Sequence, residues 1–155
     1  MEVNSRRASF DKFVRLEGAR LQRVTCARFG LQLGSEAAAD ALGWAWEHWA
    51  RVGAMDNPVG YLYRVAQTSV RRQQRWQRPI GLAPEPRGAP TDVEPGLESA
   101  LTRLSANQRV AVVLVHGLGW SYQETADALN VSLPALRNHV HRGLARLRRE
   151  LGESS

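Results

Sequence analysis

The last third of the chain has the clearest pattern of apolar and polar positions. Ser121 and Glu124 stand three residues apart, the spacing of a capping box at the start of a helix. Apolar residues then recur at helical spacing, at Tyr122, Ala126 and Leu129. A polar tripeptide follows at 130–132, and Ser132 is in position to cap the next helix. The pattern predicts a helix-turn-helix: a short helix, a tight turn and a longer basic helix.

The longer helix divides into two sides when residues are placed about 100° apart. Its apolar stripe consists of Leu133, Leu136, Val140, Leu144, Leu147 and Leu151. Its polar side carries Pro134, Asn138, His141, Arg142 and Ala145, with Arg137 on the flank. Arginine suits guanine, asparagine suits adenine, and both hold phosphates, so this side fits the major groove of DNA. An ordinary amphipathic helix with a solvated face is the alternative that this helix alone leaves open.

The apolar pattern of the first half predicts three more helices. One extends from Ser9 to Phe29, with Gly30 as its stop. A second begins at Ser35, and its apolar side is Ala38, Ala41, Leu42, Ala45 and Trp49. The dipeptide 57–58 is Asn-Pro, a cap followed by proline at the first helical position, and it starts a third helix that continues to about Trp76. The chain is therefore expected to be all-α.

The third helix has an arginine-rich side opposite its apolar side. Its apolar side is Leu62, Val65, Ala66, Ser69 and Val70. Its other side carries Tyr61, Arg64, Gln67, Thr68, Arg71, Arg72 and Arg75. Arginines can hold phosphates while aromatic rings stack on unpaired bases, so this side and Trp76 suit a nucleic-acid strand. Packing against other helices is the preferred interpretation for Tyr63.

A stretch rich in proline and glycine divides the chain. Five of the seven prolines lie between Pro79 and Gly96, and no apolar period crosses that segment. We expect residues 79–96 to be an extended linker between two small helical domains, 1–78 and 97–155. Each domain is small, so each core is expected to be marginal by itself. The two domains are expected to move independently.

The charge distribution indicates a polyanionic partner. The formal net charge is +6, and Lys12 is the only lysine. One acid-free run contains Arg64, Arg71, Arg72, Arg75 and Arg78, and a second cluster contains Arg137, Arg142, Arg146, Arg148 and Arg149. Such clusters can steer and hold nucleic acid. A GC-rich genome would explain the preference for arginine over lysine, but not the clustering.

Other chemistries have no support in the sequence. Cys26 is the only cysteine, which excludes an internal disulfide and a Cys-based metal site. His139 and His141 would point about 200° apart on a helix and cannot share a metal. Phosphate loops, paired catalytic carboxylates and a nucleophile elbow are absent, so we expect no metal, no cofactor and no enzymatic activity. No signal peptide or membrane-length apolar run is found, and the protein is expected in the cytoplasm.

Three stretches resemble a bacterial RNA polymerase sigma factor of the small, extracytoplasmic-function type. Residues 57–66, NPVGYLYRVA, are similar to the promoter-opening helix that is often written P-x-x-W-L-Y-R-I-A. Residues 101–109, LTRLSANQR, are similar to the L-P-x-x-x-R start of the fourth region. Residues 121–148 are similar to the family's S-Y-x-E-I-A helix-turn-helix. The resemblance spans nearly the whole chain except the linker.

The resemblance implies partners and roles for particular residues. The partners would be core RNA polymerase and promoter DNA, and an anti-sigma protein is left open. The upstream promoter element would be read by Arg137, Asn138, His141 and Arg142. The downstream element would be bound and opened by Asn57, Tyr61, Arg64, Arg71, Arg72 and Arg75. Core polymerase would be contacted by Asp40, Trp46 and Glu47.

Two other functions are alternatives to the one that this resemblance implies. A stand-alone helix-turn-helix regulator can have a similar recognition helix. Such a regulator usually carries a receiver or sensor domain, and the first half has no βαβ pattern. A small hydrolase is the other rival, and no catalytic constellation supports it.

Overall fold

The structure is a computed structural model, and it describes residues 2–76 and 96–152. Every regular element in these two segments is helical, which confirms the all-α prediction. The predicted linker falls outside the described residues except for Gly96, a left-handed residue at the N-cap of α5. None of the described helices is long and apolar enough to cross a membrane.

Two long helices open the first segment. Helix α1 is Glu2–Phe29 and helix α2 is Leu31–Glu47. The predicted starts at Ser9 and Ser35 are both wrong. Gly30 alone turns the chain, with a φ of 89°, and α2 begins at the next residue. Ser35 therefore lies inside α2, where Gln22 of α1 donates to its hydroxyl at 3.3 Å.

A short helix and a long amphipathic helix complete this segment. Helix α3 is Trp49–Val52, and α4 is Pro58–Trp76, as the Asn-Pro signal predicts. The Asn57 side chain accepts from the Gly60 amide at 3.1 Å and caps α4. Leu62, Ala66 and Val70 of α4 are buried against α1 and α2, in agreement with the predicted apolar side.

The second segment contains four helices and one π-helical turn. Helix α5 is Leu97–Thr102 and α6 is Ala106–Val112, followed by the π turn Val113–Gly117. Helix α7 is Tyr122–Leu129 and α8 is Leu133–Gly152. Ser121 and Glu124 form the predicted capping box. Asn130 takes the left-handed conformation that ends α7, with a φ of 55°. The predicted helix-turn-helix is confirmed.

The two described segments pack against each other and share a hydrophobic core. Helix α1 contacts α6, α7 and the π turn, and α4 contacts α7. One cluster of buried residues accordingly includes Leu21 and Leu62 of the first segment together with Leu114 and Leu136 of the second. Small domains have marginal cores, so sharing apolar surface stabilises both segments.

Candidate nucleic-acid interface

The polar side of α8 is turned fully to solvent. Arg137, Asn138, His141 and Arg142 are all exposed. On the opposite side, Leu136 and Val140 are buried in the shared core. The division into faces that the sequence predicts is therefore the one that the tertiary structure adopts. A recognition helix needs this arrangement, since one side must be anchored while the other enters a groove.

The start of α8 is fixed by the turn that precedes it. Ser132 accepts from the Ala135 amide at 3.2 Å, as its predicted capping role requires. The exposed Pro134 lies in the first turn, where a missing amide hydrogen is tolerated. In α7, Thr125 is fully buried and donates to the Ser121 carbonyl at 2.8 Å. Tyr122, predicted on the apolar side of this helix, is instead 39% exposed.

A close approach between helices holds α8 against α6. A Cβ atom added at Gly143 would lie 2.7 Å from Val112 Cγ2 and 3.3 Å from the Gln108 carbonyl oxygen. Only glycine allows the two helices to come this close. Three features therefore fix the orientation of the exposed polar side of α8. They are the buried apolar stripe, the capped turn and this helix crossing.

The arginines on one side of α4 are exposed. Arg64, Arg71, Arg72 and Arg75 all face solvent. Beside them, an open groove of about 520 Å³ runs between α2 and α4. It is lined by Asp40, Trp44, Val65, Thr68, Ser69, Arg72 and Gln73. The side chain of Trp76 lies outside the described part of the chain.

An aromatic cluster with one arginine stands at the start of α4. Trp44 stacks on His48, with ring centroids 4.1 Å apart, and lies 5.7 Å from the Tyr61 ring. Arg51 donates to the Tyr61 hydroxyl at 2.5 Å and lies over both the Tyr61 and Trp44 rings. Tyr61 is therefore half-buried and pinned by Arg51. The resemblance already implied downstream contacts from the loop 51–57, which begins with Arg51. The stacking of Trp44 and His48 beside Tyr61 was not predicted, although their spacing by four residues is a usable signal.

Tyr63 is buried, which agrees with the packing interpretation. Its hydroxyl accepts from Arg28 Nη1 at 3.3 Å. Burial raises the pKa of the phenol, and the nearby Arg28 charge and hydrogen bond partly oppose that rise. Arg109 of α6 is half-buried in the same region, and desolvation, followed by the Arg28 charge, lowers the pKa of its guanidinium. These groups belong to the packing between segments and not to the exposed basic surface.

The three residues assigned to polymerase contact do not lie together. Asp40 is exposed beside α4, where it accepts from Ser69 Oγ at 3.0 Å and from Gln73 Nε2 at 3.5 Å. Trp46 is 37% exposed and packs on Phe10 of α1, with ring centroids 5.2 Å apart. Glu47 is exposed at the end of α2. Asp40 and Trp46 thus contact different helices and mark two separate parts of the α2 surface.

Comparisons with known proteins match this architecture. The family "Sigma-70, region 4" matches residues 96–147. The "RNA polymerase sigma factor CarQ" of Myxococcus xanthus is 33% identical over 106 residues, which cover 61% of the chain and 61% of CarQ. The "RNA polymerase sigma-E factor" of Streptomyces antibioticus is 46% identical over 55 residues, which cover 36% of the chain and 31% of that protein. The chain therefore spans less than two thirds of these curated relatives.

A solved structure has the same fold. The sigma factor RpoE from Bartonella quintana, solved in complex with the anti-sigma factor NepR, aligns with a TM-score of 0.62 at 20% identity. The alignment covers 92% of this chain and 96% of the RpoE chain. Together with the sequence relatives, this likeness confirms the predicted resemblance. Residues 96–147 match the family "Sigma-70, region 4", and the chain is similar in sequence to the sigma factors CarQ and sigma-E over part of its length.

Proposed function

We propose that this chain is a transcription initiation factor that binds core RNA polymerase and directs it to specific promoters. The observation that carries the proposal is the exposed polar side of α8 within a region 4 helix-turn-helix. Arg137, Asn138, His141 and Arg142 would read the upstream element in the major groove. Buried Leu136 and Val140 support this role, because they hold the helix in one orientation while its other side contacts base edges.

The downstream element would be bound by the first segment. The exposed arginines of α4 can neutralise phosphates, and the adjoining aromatic cluster can stack on unpaired bases. The residues assigned to this element are Asn57, Tyr61, Arg64, Arg71, Arg72 and Arg75. Strand binding at this surface would favour the open over the paired form of the promoter.

Core polymerase would hold the two DNA-binding surfaces at a fixed separation. Each surface is small, so each alone should bind weakly, and tight binding requires that both engage at once. Exposed Asp40, Trp46 and Glu47 are the candidate contacts on α2. The factor would act in the cytoplasm without catalytic activity of its own. An anti-sigma protein is a candidate further partner, since the RpoE structure was solved with one.

A run-off assay with purified core enzyme and a genomic promoter library tests the proposal. We expect transcripts that depend on both the chain and core polymerase. Arg142→Ala should lower the yield from promoters with an upstream element, whereas Glu36→Ala, on the exposed N-terminal part of α2, is the control for a general charge change. Tight operator binding by the free protein as a dimer, with no transcript when core is added, would instead favour a stand-alone regulator.

A further inference from the structure

Helix α3 carries Arg51 and is anchored by the residues on either side of it. The helix is Trp49–Val52, a single turn between α2 and α4. One turn of helix is not stable by itself, so its orientation has to come from tertiary contacts. Trp49 is 7% exposed and Val52 is fully buried, whereas Arg51 is exposed. The two buried side chains therefore set the direction in which Arg51 points.

The indole of Trp49 is held by the first helix. Its Nε1 donates to the Ser9 hydroxyl at 3.3 Å, across 40 positions of the sequence. The Phe10 ring meets the indole edge-on, with centroids 5.3 Å apart and planes at 82°. The Phe13 ring contacts it as well, with centroids 5.3 Å apart. Because a buried indole N–H needs an acceptor, the Ser9 hydroxyl and the two rings together favour one orientation of Trp49.

The turn after α3 closes tightly over the same indole. A Cβ atom added at Gly53 would lie 2.9 Å from Trp49 Cε2 and 3.0 Å from Trp49 Cζ2. The Gly53 amide donates to the Trp49 carbonyl at 2.8 Å. The Met55 amide donates to the Val52 carbonyl at 3.1 Å. Trp49 therefore contacts both α1 and the turn that leads to Asn57, and a displaced indole would displace this turn.

The first turns of α1 are themselves fixed on the end of α2. Arg6 donates to the main-chain oxygen of Trp46 and lies over its ring, 4.8 Å from the centroid. That oxygen is among the last carbonyls of α2, which lack partners within the helix. The Phe10 ring contacts both Trp46 and Trp49, at 5.2 and 5.3 Å between centroids. Ser9, next to Phe10, is therefore held at a defined position.

Arg51 links α3 to an aromatic residue of α4. It donates to the Tyr61 hydroxyl at 2.5 Å. Its guanidinium also lies 5.7 Å from the centroids of the Tyr61 and Trp44 rings. A cation over an aromatic ring and a hydrogen bond to its hydroxyl together restrict the ring. The position of Tyr61, a residue assigned to the downstream element, thus depends on where α3 places Arg51.

From these contacts we propose that Ser9 and Trp49 are positioning residues for the downstream strand. The Ser9 hydroxyl orients Trp49, and Trp49 fixes the rotation of α3. Arg51 then holds the Tyr61 ring in place, so that a guanidinium suited to a phosphate and a ring suited to a base face the strand together. The role in strand binding rests on the proposed function, whereas the anchoring of α3 by α1 does not.

The lengths of the two helices explain why α1 is needed for this role. Binding groups have to be held within about 0.5 Å of their productive geometry by neighbours whose own rotamers are fixed. Helix α3 has 4 residues and cannot provide such support by itself, whereas α1 has 28 residues. Buried Trp49 does not need to touch DNA, because it acts through Arg51.

Four variants separate the hydrogen bond from general effects on α1. Ser9→Ala removes the acceptor for the Trp49 indole and leaves the aromatic packing in place. Ser9→Thr retains a hydroxyl and should behave as wild type. Trp49→Phe keeps an aromatic ring and removes the N–H. Ser5→Ala is the matched control, because Ser5 is exposed one turn earlier on the same helix. Circular dichroism checks that each variant retains the helix content of wild type.

The first measurement is hydrogen exchange of peptides covering residues 48–56 in the free full-length chain. The hydrogen-bonded amides of this segment report its local opening, and they include those of Arg51, Val52, Gly53 and Met55. We expect exchange there to be about three- to tenfold faster in Ser9→Ala and Trp49→Phe, the effect of losing one hydrogen bond. Peptides from α8 and the Ser5→Ala and Ser9→Thr variants should match wild type. Exchange in Ser9→Ala equal to that in wild type would overturn the anchoring.

The second measurement uses core RNA polymerase with each variant on a promoter selected by the run-off assay. A fluorescent base analogue in the downstream element reports strand opening, and a gel shift on a duplex that ends before this element reports upstream binding. Ser9→Ala should slow opening about three- to tenfold and leave upstream binding unchanged, whereas general unfolding would lower both.

The two measurements together distinguish the ways in which the proposal can fail. Faster exchange in Ser9→Ala with an unchanged rate of opening would refute the positioning role. If wild type gives no transcript with core polymerase although exchange responds to Ser9→Ala, the proposed function and the positioning role both fail, and the anchoring of α3 stands.

Discussion

Arg109 of α6 donates through Nη2 to the main-chain oxygen of Arg28, at the C-terminal end of α1, with an N···O distance of 2.8 Å. The last carbonyls of a helix have no partner within the helix and carry partial negative charge, so a guanidinium is well suited to this position. Desolvation lowers the pKa of Arg109, which reflects its half-buried position. Arg109, the last residue of the LTRLSANQR motif, therefore contributes to the packing between segments in this structure.

Replacing Arg109 with alanine should lower the free energy of unfolding by about 1–3 kcal/mol, because a helix-end carbonyl loses a charged donor. Urea denaturation of the full chain measures the change. Arg103→Ala is the control in the same segment. The Arg103 side chain is 60% exposed where it pairs with Glu150, so solvent screens the pair and its loss should cost less than about 1 kcal/mol. Equal losses in the two variants would contradict the structural role of Arg109.

Gly34 should tolerate no side chain, since a Cβ atom there would lie 2.5 Å from the Cys26 Cα atom on α1. Gly34→Ala should therefore cost about 1–3 kcal/mol or more through overpacking, despite the better helix propensity of alanine. Gly43→Ala in the same helix meets open space and should instead stabilise by up to about 1 kcal/mol. Thermal unfolding distinguishes the two, and a stabilised Gly34→Ala would show that α1 and α2 do not cross this closely.

The two sides of α8 should respond differently to truncation. Leu136→Ala should cost about 2–5 kcal/mol of stability, because Leu136 is fully buried. Arg142→Ala should change stability by less than about 0.5 kcal/mol. It should instead weaken promoter binding by the polymerase complex by about 1–3 kcal/mol if Arg142 contacts a base. Denaturation measures the stability of both variants, and a gel shift measures promoter binding. If Arg142→Ala unfolded the protein while Leu136→Ala left it stable, the assignment of the two faces would be inverted.

Tyr63 should make the protein sensitive to alkali. In the unfolded chain its phenol ionises near the ordinary pKa of about 10, whereas burial raises the pKa in the folded state. Above pH 10 the unfolded state therefore binds fewer protons than the folded state, and stability falls as the pH rises toward the folded value. Below pH 10 the phenol is protonated in both states, and the stabilising contribution of the raised pKa is fully present.

Tyr63→Phe should remove part of the loss of stability at alkaline pH. At neutral pH it should lower the free energy of unfolding by about 0.5–1.5 kcal/mol, because the hydrogen bond from Arg28 is lost. Tyr122→Phe is the control, since Tyr122 is 39% exposed. Urea midpoints measured from pH 8 to pH 11 give the two profiles. If the urea midpoint of Tyr63→Phe falls with rising pH as steeply as that of wild type, ionisation of Tyr63 does not cause the alkaline loss of stability.

The sequence by itself determined the helix-turn-helix and the faces of its second helix. Its signals act over three or four residues: Ser121 and Glu124 form the capping box, Ser132 caps α8, and the stripe at Leu136 and Val140 is buried. Asn57 likewise fixes the start of α4. Local hydrogen bonds and side-chain periodicity decide such features, and both can be read from neighbouring residues.

Only the tertiary structure decided how the two segments meet. The close approach at Gly34 depends on the crossing of α1 and α2. The Asn57–Asp127 bond joins residues 70 positions apart. Local signals cannot specify such a contact, because it forms only when the shared core brings the end of α7 onto the start of α4.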